Sequence, residues 1–342
     1  MRPSTATTCL LAFAALLLAP PALEAQEGPD NFYANKTITV LVGGVPGGGY
    51  DLLARLMARH LGKYLPGHPS IVVKNVPGAN GLMAANALYN TSPRDGTDIG
   101  VIYRNLLLNA AIPVPGARFQ IADFHWIGNL ASEVPISMSW KAAGVKSAAD
   151  LLNRELIIGG MAGVDPETTP KLYNALLETK FKIVNGYKSP GDIALAMERG
   201  EVEGVGDWSW SGFKVQKADW VRTGAVNILL QGSRERLPEL KDVPTTYEFI
   251  RNDLDRATMD LYFAQKIAAR PVLTPPGVPP ARVAALRQAF MAMGRDAEFQ
   301  RDAQKSQLLV DLMDGDSVQR VISTITSAPP EVLNRLNAAI YH

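Results

Sequence analysis

The residues best placed to do chemistry in this chain are glycines. Pro46-Gly47-Gly48-Gly49-Tyr50-Asp51 follows the apolar run that begins at Ile38 and opens a helical pattern. The device returns at Gly78-Ala79-Asn80-Gly81, after Ile71-Val-Val-Lys-Asn75 and before a second helical pattern. Glycine leaves backbone N–H groups free to face a ligand, and a helix N-terminus behind them favours negative charge. Two such turns side by side would cradle a small anion. Neither is a nucleotide motif. Tyr50-Asp51 stands where a P-loop needs Lys-Ser/Thr, and Leu52 where a dinucleotide-binding turn needs its third glycine. Asp51 falls in the first helical turn, where it stabilises the helix end or fixes the loop and ligand; Asn80 either caps its helix or touches ligand. Arg104 follows the third strand and would pair with a carboxylate or sit between lobes. Asp207-Trp208-Ser209-Trp210 ends a later strand, and at least one of its tryptophans is expected to line a pocket.

Catalysis finds little support. The chain has no G-x-S-x-G elbow and no H-E-x-x-H, and its four histidines (His60, His68, His125 and His342) fall in no metal-ligand spacing. No cofactor and no metal is expected. A net charge of +1 over 342 residues argues against nucleic acid, which demands a basic surface. Arg2, the apolar run Leu10–Ala19 and the small residues up to Ala25 read as a secretory signal over 1–25. The single cysteine, Cys9, lies inside it, so the mature chain would depend on its core rather than on disulfides, as suits a periplasm.

These turns need elements to hold them. Strands at 38–43, 71–75 and 98–103 alternate with helices at 51–64 and 81–89, and near-continuous apolar strands between helices indicate a parallel sheet covered on both faces. In the first helix Leu53, Leu56, Met57 and Leu61 form an apolar stripe, while Arg55, Arg59 and Lys63 share a solvated face. A second αβ series begins near Pro135, with helix starts at Ser147 and Ser189 and strands ending near 160 and 205. Around Tyr262 the texture returns to the first series. The reading is two α/β lobes, 31–134 plus 262–342 and 135–261, each a mostly parallel sheet flanked by helices, with ligand beyond the strands' carboxyl ends.

The order and spacing of Val45-Pro-Gly-Gly-Gly-Tyr-Asp51, Asn75-Val-Pro-Gly-Ala-Asn-Gly81, Pro93-Arg-Asp-Gly-Thr97, Gly186-Tyr-Lys-Ser189 and Pro275-Pro-Gly-Val-Pro279 resemble the Bug family, the TctC-like receptors of tripartite tricarboxylate transporters. The resemblance spans the mature chain. It implies a two-lobed periplasmic-binding-protein (Venus-flytrap) fold without catalytic activity, which holds a small organic acid between its lobes and presents it to TctA/TctB-like membrane subunits. A monomer is expected. Carried over by position, the first lobe would offer Pro46, Gly47, Gly48, Gly49 and Asp51, then Gly78, Ala79 and Gly81. The second would offer Gly163, Asp165, Thr168 and Asp207 with its neighbours Trp208 and Ser209. Tyr50, Asn80, Asp165 and the two tryptophans depart from the family pattern, and their bulk and charge favour a smaller, less charged or partly aromatic ligand over a tricarboxylate such as citrate. The alternatives are a sensing receptor and, from another class, an exported hydrolase using Asp165 or Asp207.

Overall fold

The computed structural model describes residues 32–341, so the expected signal peptide and His342 lie outside the described residues. Eleven strands and twelve helices follow in chain order among them. The first lobe opens with β1 (Thr37–Val42), α1 (Gly49–Leu61), β2 (Ser70–Asn75), α2 (Leu82–Asn90), β3 (Asp98–Val101) and β4 (His125–Asn129). The second holds β5 (Pro135–Trp140), α3 (Ala148–Asn153), β6 (Leu156–Gly160), α4 (Asp165–Leu177), β7 (Phe181–Asn185), α5 (Pro190–Glu198), β8 (Gly204–Ser209), α6 (Trp210–Gln216), α7 (Ala218–Thr223) and β9 (Val226–Gln231). The chain returns through α8 (Asp253–Ile267), β10 (Pro271–Thr274), α9 (Pro280–Gly294), α10 (Ala297–Lys305), β11 (Met313–Asp314), α11 (Gly315–Thr326) and α12 (Pro330–Tyr341).

Local signals explain the starts and stops. Ser147 and Ser189 each accept the N–H three residues on, at 3.1 Å, which ends the search of those backbone donors for a partner. Gly200 closes α5 at φ +73°, a conformation other residues resist. The apolar stripe of α1 is buried and its Arg55 and Arg59 are exposed, as the 3.6-residue period requires, with Lys63 exposed just beyond its end.

The first sheet runs β11-β4-β10-β3-β1-β2 and the second β7-β6-β8-β5-β9. Both are mixed: most strands of each run one way, as expected, and a crossover strand runs against them. β1, β2 and β3 are parallel, but β10 sits antiparallel between β3 and β4; β6, β7 and β8 are parallel, but β5 sits antiparallel between β8 and β9. The cause is the double crossover. β5 and β10 each enter a lobe from the cleft, at the carboxyl edge of its parallel strands, so each must run against them.

The two crossovers pair with each other. The Leu130 N–H donates to the Arg270 carbonyl and the Glu133 N–H to the Lys266 carbonyl, both at 3.0 Å. Asn129, fully buried, accepts the Arg270 N–H at 2.7 Å and donates to the Ala131 and Ile267 carbonyls. This stapled pair of chains is the connection between lobes. Beside it α8, α11 and α12 form a block whose buried side chains join one continuous core with residues of both sheets' helices, from Leu82 and Leu106 to Leu172 and Leu176. Arg335 fixes the block by donating to Asp255 and to the Ala175 carbonyl, each at 2.7 Å.

Gly128 marks the tightest packing in the first sheet: a Cβ there would stand 2.3 Å from the Phe290 ring and 2.7 Å from the Met313 carbonyl. Gly128→Ala is expected to cost about 2 kcal/mol in urea unfolding, the usual price of overpacking a core, and an unchanged midpoint would contradict that packing.

Candidate functional site

The carboxyl ends of β1, β2, β3, β6 and β8 converge on the space between lobes, as open α/β sheets arrange their sites. The first glycine turn lies there and is partly self-satisfied, while the Gly49, Tyr50 and Asp51 N–H groups that open α1 find no acceptor among the described residues. The Gly47 N–H donates to Asp51 Oδ2 at 2.8 Å, and the Gly48 N–H to the Val45 carbonyl at 3.1 Å. Only Gly47 has a positive φ, +77°; Gly48 is extended at −75°. Pro46, Gly47 and Gly49 are exposed and Gly48 half-buried. Asp51 is buried and committed within the loop: besides Gly47 it accepts from Arg55 at 2.9 Å and from Asn75 at 2.9 Å. Of its two readings, the structure selects loop fixing. Tyr50 turns sideways, its ring against Tyr103 and under the Arg270 guanidinium at 4.1 Å, its hydroxyl donating to the Ala269 carbonyl and accepting the Arg104 N–H.

The second turn is different. Gly78, Ala79, Asn80 and Gly81 all have positive φ, at +136°, +47°, +52° and +87°. The Gly81 N–H is used by the Gly78 carbonyl at 3.0 Å, whereas those of Ala79 and Asn80 have no hydrogen-bond partner among the described residues. Both residues are exposed, at the start of α2, and Asn80 reaches across the cleft to Gly163. This backbone is strained, and strain of that kind in a non-glycine pair persists only where surrounding structure imposes it.

In the second lobe the turn before α4 is also engaged. The Gly163 N–H donates to Glu167 at 2.6 Å, which removes it as a ligand donor. Thr168 is buried and shares a 2.8 Å hydrogen bond with the Tyr262 hydroxyl. Trp208 and Trp210 are both buried, packed around Phe213 in the second-lobe core, and do not line the inter-lobe cavity where one was expected. Ser209 caps α6, accepting the Gly212 N–H.

Six charged side chains meet at the crossovers. Arg104 pairs with Glu133 and Asp165, Arg270 with Glu133, and Lys266 Nζ lies 2.7 Å from Asp207 and 3.4 Å from Asp165. Arg104 thus belongs to the inter-lobe link. Tyr262 donates to Asp165 at 3.2 Å, and Thr169 donates to Asp207. Three cations face three carboxylates. Burial works to push the Asp165 and Glu133 carboxyls up, yet Arg104 with Lys266, and Arg104 with Arg270, hold both below the usual carboxylate range. Asp207 goes the other way, because burial and the neighbouring Asp165 outweigh Lys266 and raise it. Glu133, Lys266 and Arg270 were not singled out in the sequence.

Beside this cluster lies a cavity of about 390 Å³ between the lobes. Ala79 and Asn80 form one wall, and Gly163, Asp165, Thr168, Tyr262 and Gln265 the facing one. Leu82, Leu106, Leu108, Ile112, Val114 and Ile340 supply an apolar floor; Asn105, Asn337 and two prolines complete it. The first glycine turn, Arg104, Asp207, Trp208 and Ser209 do not line it. For metals, one group of side chains among the described residues has suitable spacing, His60 with Asp296 and Glu298 at the far end of α1. There Lys63 already bonds both carboxylates, at 2.9 and 3.3 Å, in the place a cation would take.

No family model matches the chain. A UPF0065 protein of Agrobacterium vitis, from the TAR-I ttuE-ttuC' intergenic region, is 27% identical over 268 residues, 76% of this chain and 75% of the relative. A TctC solute-binding protein from Polaromonas superposes with a TM-score of 0.67 at 18% identity, over 90% of this chain and 99% of that one. In fold the chain is Bug/TctC-like. MatC from Rhodopseudomonas palustris, solved with malate, matches at a TM-score of 0.64 and 19% identity, over 87% of this chain and 99% of MatC. A second R. palustris protein, solved with adipate, gives 0.64 at 20% identity, over 88% of this chain and 97% of that one. Among the described residues of this Bug/TctC-like chain no helix is long and apolar enough to cross a membrane.

The charge cluster fixes a pH response. With Asp165 and Glu133 lower in the native state than unfolded, the unfolded chain binds more protons, so stability rises with pH; their contribution is full above about pH 5 and is lost progressively as pH falls from there toward the native values. Asp207, raised, has the opposite sign and tempers this slope. Asp165→Asn is expected to cost roughly 3 kcal/mol at pH 7 and to flatten the loss between pH 5 and pH 3 in urea unfolding. Equal acid sensitivity in both proteins would show that Asp165 is not a source of it.

Proposed function

We propose that this chain is a periplasmic solute-binding receptor that captures a small organic acid between two lobes, 31–134 plus 262–342 and 135–261, and delivers it to a tripartite tricarboxylate-type transporter. The observation that carries the reading is the second turn. The Ala79 and Asn80 N–H groups, unpaired among the described residues, belong to the turn that leads into α2, whose N-terminus favours an anion, and both residues line the inter-lobe cavity. A carboxylate there would satisfy both donors, and residues of the second lobe would close over the remainder. The malate and adipate bound by proteins of the same fold support a carboxylate ligand. The role is binding rather than catalysis: Asp165 and Asp207, the acids available to a hydrolase, are each locked in ion pairs with Arg104 or Lys266. The signal-like segment 1–25 supports export; TctA/TctB-like subunits are the proposed partners of a monomeric receptor.

Capture would proceed by closure of the lobes about the paired crossovers, ligand favouring the closed state in proportion to its better contacts there. The test compares the two turns. Gly78→Ala forces a Cβ into φ +136° and to 2.3 Å from Met83 Sδ, so it is expected to weaken carboxylate binding at least about tenfold in calorimetry. Gly48→Ala, at an ordinary φ, is expected to leave affinity within about threefold. The reverse ranking would return the anion to the first turn. Ligand-induced thermal shifts across mono- and dicarboxylates would establish whether an acid binds at all, since binding to the native state alone raises the melting point.

A further inference from the structure

Tyr103 stands two residues past β3, at the carboxyl edge where β3, β1 and β2 lie side by side. Its ring lies across that edge. A Cβ at Gly81, in the second turn, would sit 3.1 Å from the Tyr103 Cβ; one at Gly44, just before the first turn, would sit 3.4 Å from its Cε1 and 3.5 Å from its hydroxyl. Glycine at both positions lets the backbone approach the ring this closely. The side chain therefore reaches from the second turn toward the first, with its hydroxyl at the first-turn end. Tyr50 covers it, the ring centroids 4.3 Å apart.

The hydroxyls of this stacked pair differ. Tyr50 is tied, donating to the Ala269 carbonyl and accepting the Arg104 N–H. Tyr103 is half-buried, yet its hydroxyl has no hydrogen-bond partner among the described residues and is not sealed from solvent. Arg270, the cation over the Tyr50 ring, gives its guanidinium to Glu133 and the Ala269 carbonyl. Burial, with the neighbouring Tyr50, pushes the Tyr103 phenol up, so it keeps its proton and meets an anion as a donor. A donor this enclosed gains by finding an acceptor.

We propose that Tyr103 determines specificity: with the ligand's carboxylate at the second turn, the Tyr103 hydroxyl donates to a second oxygen at the ligand's other end. The proposal rests on the carboxylate reading above. Ala79 and Asn80 hold one end, the ring carries the carbon chain, and the hydroxyl reads an oxygen about a tyrosine's length away. A monoacid with a bare alkyl end leaves that hydroxyl unpaired and binds more weakly. The class favoured is a short acid with a carboxylate, hydroxyl or carbonyl at its far end.

The experiment is calorimetric titration of the mature protein and of Tyr103→Phe with two pairs matched in chain length, succinate with butyrate and adipate with hexanoate, and with the uncharged adipamide. In the wild type at least one diacid is expected to bind about tenfold tighter than its monoacid, one charge-assisted hydrogen bond's worth. Tyr103→Phe is expected to erase that preference while monoacid affinity holds. Because the hydroxyl has no partner in the protein, the ligand-free variant is expected to melt where the wild type does. No preference in either wild-type pair, a preference that survives in Tyr103→Phe, or a lower melting point of the free variant would overturn the proposal and leave the carboxylate reading standing as long as an acid binds. Adipamide binding as tightly as adipate, or no binding by any acid, would overturn the carboxylate reading and the proposal with it.

Discussion

The structure turns on a desolvated set of six charges at the point where the chain passes twice between lobes. Taking ions out of water costs several kcal/mol each, and attraction between them offsets that only when every group finds its partner. Here Glu133 and Lys266 come from opposite crossovers, Arg270 from the second, Arg104 from the first lobe, and Asp165 and Asp207 from the second lobe. Arg104 bridges Glu133 and Asp165, and Asp165 also meets Lys266, so the pairs join into one chain of six groups that share contacts. The cluster therefore demands one mutual placement of the crossovers and of both lobes' strand ends. The ladder between 130–134 and 266–270, and the buried Asn129 that staples it, meet the same demand with backbone hydrogen bonds.

This constraint divides the cleft. Charge is concentrated on the hinge side and cancelled there, which leaves the neighbouring cavity free to be apolar. The turn before α1 keeps its own acid: Asp51 takes up the Gly47 N–H. The turn before α2 has no such carboxylate, so two turns that look alike in sequence differ in which donors they hold.

Much of the fold was legible. Helical periodicity placed α1, serine caps placed α3 and α5, and the return of the first texture near Tyr262 marked the second crossover. The mixed sheets were hidden because strand direction depends on where the chain re-enters a lobe, which no local pattern records. The site was legible in position but not in partnership. Glu133, Lys266 and Arg270 are single charges in unremarkable stretches, 133 residues apart between Glu133 and Lys266, and only the folded crossovers bring them together. Tyr103 was silent for the same reason, since only the fold lays its ring across the strand ends. One signal lies in the sequence itself: Asp51 stands close enough to Gly47 to bond it.

The block of α8, α11 and α12 has a consequence in time. Its last helix, residues 330–341, packs beside α4 and α8 and contributes Leu336 and Ile340 to the continuous core. A nascent chain that lacks this stretch leaves an apolar gap beside the second lobe and cannot finish the core. Completion therefore waits for residues 330–341, and contacts this distant in sequence close slowly.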